Sequence, residues 1–281
     1  MRLRSLLFVP GDRPERFAKA EASGADAVIL DLEDSVAPAR KGDARQWVAQ
    51  HLAGPRAVRL IVRINPLGSG MAQDDLDAIL PARPDGVMLP KAEGSASLRR
   101  LFAMMGSHEV PVLPIATETP QALFRLGTYA RHSARLLGLT WGAEDLPAAI
   151  GAIAAREEDG RLTPPYEMVR SLALFAAHAA SVPAIETVYP DLKNSEGLAA
   201  YVQRARRDGF GGMMALHPAQ VPVINRGFTP DEQAVEHARR IVEAFDRAPD
   251  SGVLLLDGQM IDRPHLVMAR RVLANAGEAP A

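Results

Sequence analysis

Apolar positions along the chain gather into short runs at residues 5–9, 27–30, 60–64, 86–89, 112–117, 136–140, 184–188 and 213–216. Most of these runs end in residues able to bind a metal, a carboxylate or a phosphate. Pro10-Gly11-Asp12 follows the first and Asp31-Leu32-Glu33-Asp34 the second, and the third carries Arg63 and Asn65. Lys91, Glu118, Glu144 with Asp145, Asp191 and His217 follow the remaining five. Between the runs the apolar spacing is helical, and strand alternating with helix is the signature of a parallel sheet built from βαβ units. Eight such strands predict an α/β fold, a TIM (β/α)8 barrel, with its active site assembled at the carboxyl ends of the strands.

The helical stretches add detail. Asp12 is expected to cap the first helix, with Glu15 reaching back as in a capping box. A helix over residues 165–180 follows the sixth strand, and residues 151–165 before it have no assignment. After the eighth strand Thr229-Pro230-Asp231-Glu232 caps an amphipathic helix with Val235, Ala238, Ile241, Val242 and Phe245 on one face, one helix more than the barrel needs. Residues 252–256 read as a short strand, Asp257-Gly258 as a turn, and Asp262-Arg263-Pro264 as the entry to a last helix. The predicted division is therefore a barrel over residues 1–228 and a C-terminal helical extension over 229–281, a lid or an arm that reaches a neighbouring subunit.

Composition narrows the function classes. A net charge of −2, from 32 basic and 34 acidic residues interspersed, leaves no broad field for nucleic acid or an anionic membrane surface. The absence of cysteine excludes disulfides, thiolate metal sites and cysteine nucleophiles. The opening apolar run is too short for a signal-peptide core or a membrane span, so a cytoplasmic protein is expected.

Glu118 and Asp145 lead the candidate chemistry, because two carboxylates on neighbouring strand ends suit a hard divalent ion such as Mg²⁺, with Mn²⁺ as a substitute. The competing reading is that each caps the helix after it, and Glu144 competes with Asp145 as ligand. Arg63, inside an apolar run, needs a partner: a substrate carboxylate or oxyanion, or an internal salt bridge to Glu33 or Asp34. Of these, Glu33 is expected to orient Arg63 while Asp34 lines the pocket. Lys91 is either a Schiff-base lysine or paired with a neighbouring carboxylate. His217 is either a general base or a hydrogen-bonded structural residue. Pro10-Gly11-Asp12-Arg13 suits a phosphate, or is a tight turn before a solvated face. Asp262 is an ordinary helix start unless its place in the extension makes it an acid or base.

Taken in order, Arg4-Ser5-Leu6-Leu7-Phe8-Val9-Pro10-Gly11, residues 27–36, Arg63-Ile64-Asn65, Leu89-Pro90-Lys91, Glu118-Thr119, Gly142-Ala143-Glu144-Asp145-Leu146, His217-Pro218-Ala219-Gln220-Val221 and Asp262-Arg263-Pro264 resemble the citrate lyase β subunit-like branch of the HpcH/HpaI aldolase superfamily. The resemblance implies a Mg²⁺-dependent carbon–carbon lyase joining or separating a 2-keto acid and the acetyl unit of a CoA thioester such as malyl-, citramalyl- or citryl-CoA. It implies that Glu118 and Asp145 ligate the metal and that Arg63 holds the keto acid. It further implies that Asp262 reaches a neighbouring site in a homotrimer or hexamer, and that Arg4 and Lys19 contact CoA. A thioesterase on the same scaffold, a lyase subunit dependent on an acyl-carrier partner and an aldolase acting on free pyruvate remain alternatives. One departure stands out: Met213 occupies the turn where the family often has lysine, which removes a cation from the CoA side.

Overall fold

The computed structural model describes residues 2–278. Eight parallel strands form one sheet: β1 (Ser5–Pro10), β2 (Ala27–Asp31), β3 (Arg59–Arg63), β4 (Gly86–Leu89), β5 (Val112–Pro114), β6 (Leu139–Thr140), β7 (Ala184–Glu186) and β8 (Gly212–Ala215). The strand order is β5-β4-β3-β2-β1-β8-β7-β6, and parallel bridges Val112–Leu136 and Ile115–Thr140 join its two ends into a barrel. All eight apolar runs supply a strand, with bounds shifted by a few residues.

Helices cover the barrel: α1 (Phe17–Glu21), α2 (Lys41–Leu52), α3 (Ala72–Ile79), α4 (Ser95–Met105), α5 (Pro120–Leu123), α6 (Leu146–Ile150), α7 (Pro164–Ala179), α8 (Ser195–Asp208) and α9 (Val221–Phe228). Strand alternation decides which residues face inward. Leu6, Ile29, Ile61, Met88, Leu113, Ile115, Ile185 and Met214 form the interior cluster, with Phe8 and Val188 packed against it. The inward positions two residues beyond Ile29 and Ile61 are Asp31 and Arg63, in register on adjacent strands.

The first helix departs from expectation. Asp12 caps nothing: a short 3-10 turn over Pro14–Arg16 intervenes, and α1 begins only at Phe17 without a side-chain cap. The segment before α7 holds one antiparallel bridge, Arg156–Leu162.

The chain divides into two compact units, Leu3–Asn225 and the part from Arg226 onward. In the second, α10 (Glu232–Arg247) starts at Asp231, whose carboxylate accepts from the Ala234 N–H at 2.7 Å. It packs on α11 (Arg263–Ala276) through Val235, Ile241, Phe245, Leu266 and Leu273. A hairpin of β9 (Val253–Leu256) and β10 (Gln259–Asp262) turns at Asp257 and Gly258, both at positive φ, as a two-residue primed turn requires. Among the described residues no helix is long and apolar enough to cross a membrane.

Candidate active site

Burial makes the ends of β2 and β3 a charged clamp. Asp31, 1% exposed, accepts from Arg63 Nε at 2.6 Å and from its terminal NH2 group at 2.7 Å, and from the backbone N–H groups of Glu33 at 2.9 Å and Ser35 at 3.1 Å. Burial opposes ionisation of Asp31, but the Arg63 hydrogen bonds and charge outweigh it and hold the carboxyl below its ordinary range. Arg63 also stacks over Phe8, its guanidinium carbon 4.9 Å from the ring centre. The guanidinium is therefore fixed before any ligand arrives.

Glu33 faces the other end of the same guanidinium, 3.0 Å from Arg63, and accepts from Lys91 Nζ at 2.9 Å. Burial pushes the Glu33 carboxyl up despite both cations. Thus Asp31, rather than Glu33 or Asp34, is the principal partner of Arg63. Asp34 lines the cavity at the barrel mouth.

Lys91 links this clamp to the carboxylates beyond β5 and β6. Its residue sits at φ +50°, a left-handed conformation that aims the backbone N–H at Glu118 Oε2, 2.6 Å away. Its ammonium stands 3.3 Å from Asp145. Pairing with Glu33 and the fields of Glu118 and Asp145 overcome desolvation and raise the Lys91 pKa. A lysine so held is a cation at neutral pH, unlike a Schiff-base nucleophile.

Glu118 and Asp145 do not cap helices. Thr119 caps α5 instead, accepting from the Ala122 N–H at 3.2 Å, and Asp145 precedes α6 without a capping bond. The two loops are tied by Thr117, whose hydroxyl accepts from the Gly142 N–H at 3.1 Å and donates to its carbonyl at 3.2 Å. Glu118 is 5% exposed, and burial pushes its carboxyl up to about 8, with the charge of Asp145 adding to the rise. Two converging carboxylates, one of them raised by burial, are hard oxygen donors that a divalent cation relieves. Among the described residues no cluster of three or more metal-ligating side chains occurs, so the pair fits an ion that keeps most of its positions for water and substrate oxygens.

Gly142 makes room for this arrangement. A Cβ there would stand 2.8 Å from Glu118 Cγ and 3.0 Å from Oε1. Gly142→Ala is expected to displace the Glu118 carboxylate and weaken Mg²⁺ binding by at least about tenfold. Calorimetric titration reads this directly, and unchanged affinity would show that Glu118 does not need its present place.

A cavity of about 400 Å³ collects Arg63, Asp34, Glu118, Glu144 and Asp145 with an apolar floor. Pro10 lines it, and the Gly11 N–H donates to the Asp31 carbonyl at 2.8 Å. Arg4 lies elsewhere: it precedes β1, at the amino end of the barrel, and pairs with Asp26 at 2.8 Å. Lys19 is exposed on α1. His217 caps the turn at Pro218–Gln220, its Nδ1 accepting from the Ala219 N–H at 3.1 Å. Met213 is fully buried, whereas Met214 reaches the cavity, so the departure at Met213 lies in the barrel wall. Asp262 belongs to the second unit, where it caps α11 and binds His265 Nδ1 at 2.5 Å. That hydrogen bond lowers its pKa.

The chain matches the HpcH/HpaI aldolase/citrate lyase family model over residues 4–218. It belongs to this family. A citrate lyase subunit beta-like protein of Mycobacterium tuberculosis is 37% identical to it, the alignment covering 97% of this chain and 95% of the relative. A (3S)-malyl-CoA thioesterase of Cereibacter sphaeroides is 34% identical over 97% of this chain and 94% of its own. The crystal structure of Mycobacterium tuberculosis CitE in complex with magnesium, acetoacetate and coenzyme A superposes with a TM-score of 0.83 at 36% identity, covering 98% of each chain. These relatives align with nearly the whole of this chain, beyond the residues that the family model matches.

Lys91, expected either as a Schiff-base lysine or paired with a neighbouring carboxylate, pairs with Glu33 and Asp145, whereas Asp31 and Gly142 escaped the sequence reading as site-building residues. Asp31 had a usable signal, since strand parity turns it inward beside Arg63. Gly142 depends on loop geometry that no local pattern encodes.

Proposed function

We propose that the chain is a Mg²⁺-dependent carbon–carbon lyase that cleaves a 3-hydroxyacyl-CoA to acetyl-CoA and a 2-keto acid. The observation that carries this reading is one cavity lined by Glu118, Asp145 and Arg63, two hard carboxylates and a preset guanidinium. Relatives of nearly full length support it, one of them crystallised with magnesium, acetoacetate and coenzyme A.

Glu118 and Asp145 would hold the ion, which when bound supplies Lewis-acid polarisation of substrate oxygens and a template for them. Arg63, oriented by Asp31 and Glu33, binds the carboxylate of the keto-acid half and meets the negative charge that grows as the bond breaks, a contribution worth about 3 kcal/mol. The hydroxyl gives up its proton, the bond from the carbinol carbon to the acyl α-carbon breaks, and the electron pair passes to the acetyl thioester. The α-carbon then takes up a proton. We assign this transfer to Asp262 of a neighbouring copy. Asp262→Asn is expected to lower turnover at least about a hundredfold while leaving Mg²⁺ affinity unchanged; undiminished turnover removes Asp262 from the reaction.

The deciding experiment is a mass-spectrometric product assay with malyl-, citramalyl- and citryl-CoA, with Mg²⁺ and with EDTA. Acetyl-CoA formed only with metal is the expected result. Free CoA in its place makes the chain a thioesterase, the activity named for the Cereibacter relative. No turnover of any free CoA ester would sink the proposal and direct attention to carrier-bound substrates.

A further inference from the structure

A further cavity, of about 440 Å³, neighbours the barrel mouth and shares no lining residue with the cavity there. Lys91 and Glu93 after β4, Ser97 and Arg100 on α4, and Arg125 beyond α5 stand around it. Its charge is opposite to that of the mouth. Among the described residues, five carboxylates and one cation, Arg63, line the mouth cavity, whereas three cations (Lys91, Arg100 and Arg125) and one carboxylate, Glu93, line this one. Lys91 stands where the two fields meet, since its ammonium reaches Asp145 of the mouth at 3.3 Å.

The positive charge here is not used up within the chain. Glu93 accepts from Arg125 at 3.1 Å and from the Thr119 hydroxyl at 2.9 Å, so both its oxygens are taken. Arg125 spends one terminal nitrogen on that bond and keeps its other N–H groups. Arg100 gives an N–H to the Leu67 carbonyl at 2.8 Å and, among the described residues, has no carboxylate partner. A guanidinium anchored by a carbonyl is held in place without being neutralised. Ser97 Oγ accepts from the Glu93 N–H at 2.9 Å, and its own hydroxyl hydrogen has no acceptor among the described residues. Two guanidiniums and a hydroxyl from different elements exceed what the two coplanar oxygens of a carboxylate can accept. The tetrahedral oxygens and second charge of a phosphate suit them better.

We propose that this cavity binds the phosphate group of a small anionic metabolite, at a site separate from the one that takes the acyl substrate. Binding here is measured without turnover, so it stands or falls apart from the lyase reading.

Calorimetric titration of the full chain with inorganic phosphate at constant ionic strength tests it. Saturable binding is expected, at least about tenfold tighter than that of acetate. Arg100→Met and Arg125→Met should each weaken it at least about tenfold, the worth of one charge-assisted hydrogen bond. Both side chains are exposed, so the variants keep the fold. Arg99, also exposed on α4 but outside the cavity, is the control, and Arg99→Met should leave the affinity unchanged. Saturating CoA should leave it unchanged as well. The proposal is overturned by absence of saturable binding, by acetate binding as tightly as phosphate, or by an unaltered affinity in Arg100→Met. An equal loss in Arg99→Met overturns it too, because attraction would then follow general surface charge. Displacement of phosphate by CoA would give the cavity to the substrate's own phosphates and overturn a separate site.

Discussion

Glu118→Gln is expected to reduce Mg²⁺-dependent acetyl-CoA release by at least about a thousandfold, because it removes one of two protein carboxylates that would hold the ion. The same substitution carries a pH signature. In the metal-free protein, burial raises the Glu118 carboxyl to about 8, above its value in the unfolded chain. The folded state then binds the extra proton between the two values. Stability contributed by this group is present below the unfolded pKa and is lost as pH rises through about 8. Mg²⁺ must displace that proton, so its affinity is expected to climb with pH up to about 8 and then level off. Melting curves with and without Mg²⁺ from pH 6 to 9 should show a metal-induced rise in Tm that grows with pH. In Glu118→Gln the glutamine does not titrate, and the rise should be small and flat. A pH-independent rise in the unaltered protein would place the metal elsewhere.

Much of this fold was legible because each strand is a short apolar run closed by polar residues, and a barrel needs little else to be recognised. Particular residues show where local pattern stops. Asp12 followed by Glu15 satisfies a capping rule, yet a 3-10 turn over Pro14–Arg16 comes first, and the helix starts only at Phe17. Asp145 sits at a capping position and does not cap, because Lys91 from the β4 loop offers it a charge. Glu33 was expected to orient Arg63 from the adjacent strand end, and it stands 3.0 Å from the guanidinium; register adds Asp31 as the principal partner, since Asp31 and Arg63 end adjacent strands with side chains inward. Arg4 precedes β1, so six residues of strand at about 3.3 Å each separate it from the mouth where Arg63, Glu118 and Asp145 meet.

Arg63→Met should be the most destabilising single change in the site, and it should remove activity for a separate reason. The substitution leaves Asp31, 1% exposed, with only the backbone N–H groups of Glu33 and Ser35, and removes one of the two cations facing Glu33. Stranding a buried carboxylate costs about 3–5 kcal/mol, which for a chain of this size lowers Tm by about 10 °C. Activity should fall by a further factor of about 100–1,000 through loss of the donor that meets developing charge. The two effects separate in a double variant. Asp31→Asn with Arg63→Met takes away the stranded charge, so much of the lost stability returns, whereas turnover stays low because no guanidinium remains. Arg63→Lys keeps the charge but not the two-pronged hydrogen bond to Asp31, and should fall between the unaltered protein and Arg63→Met in both Tm and turnover. If Arg63→Met melts with the unaltered protein, the Asp31 clamp contributes nothing to the fold. If the double variant regains turnover along with stability, Arg63 acts on the reaction only by keeping the barrel mouth folded.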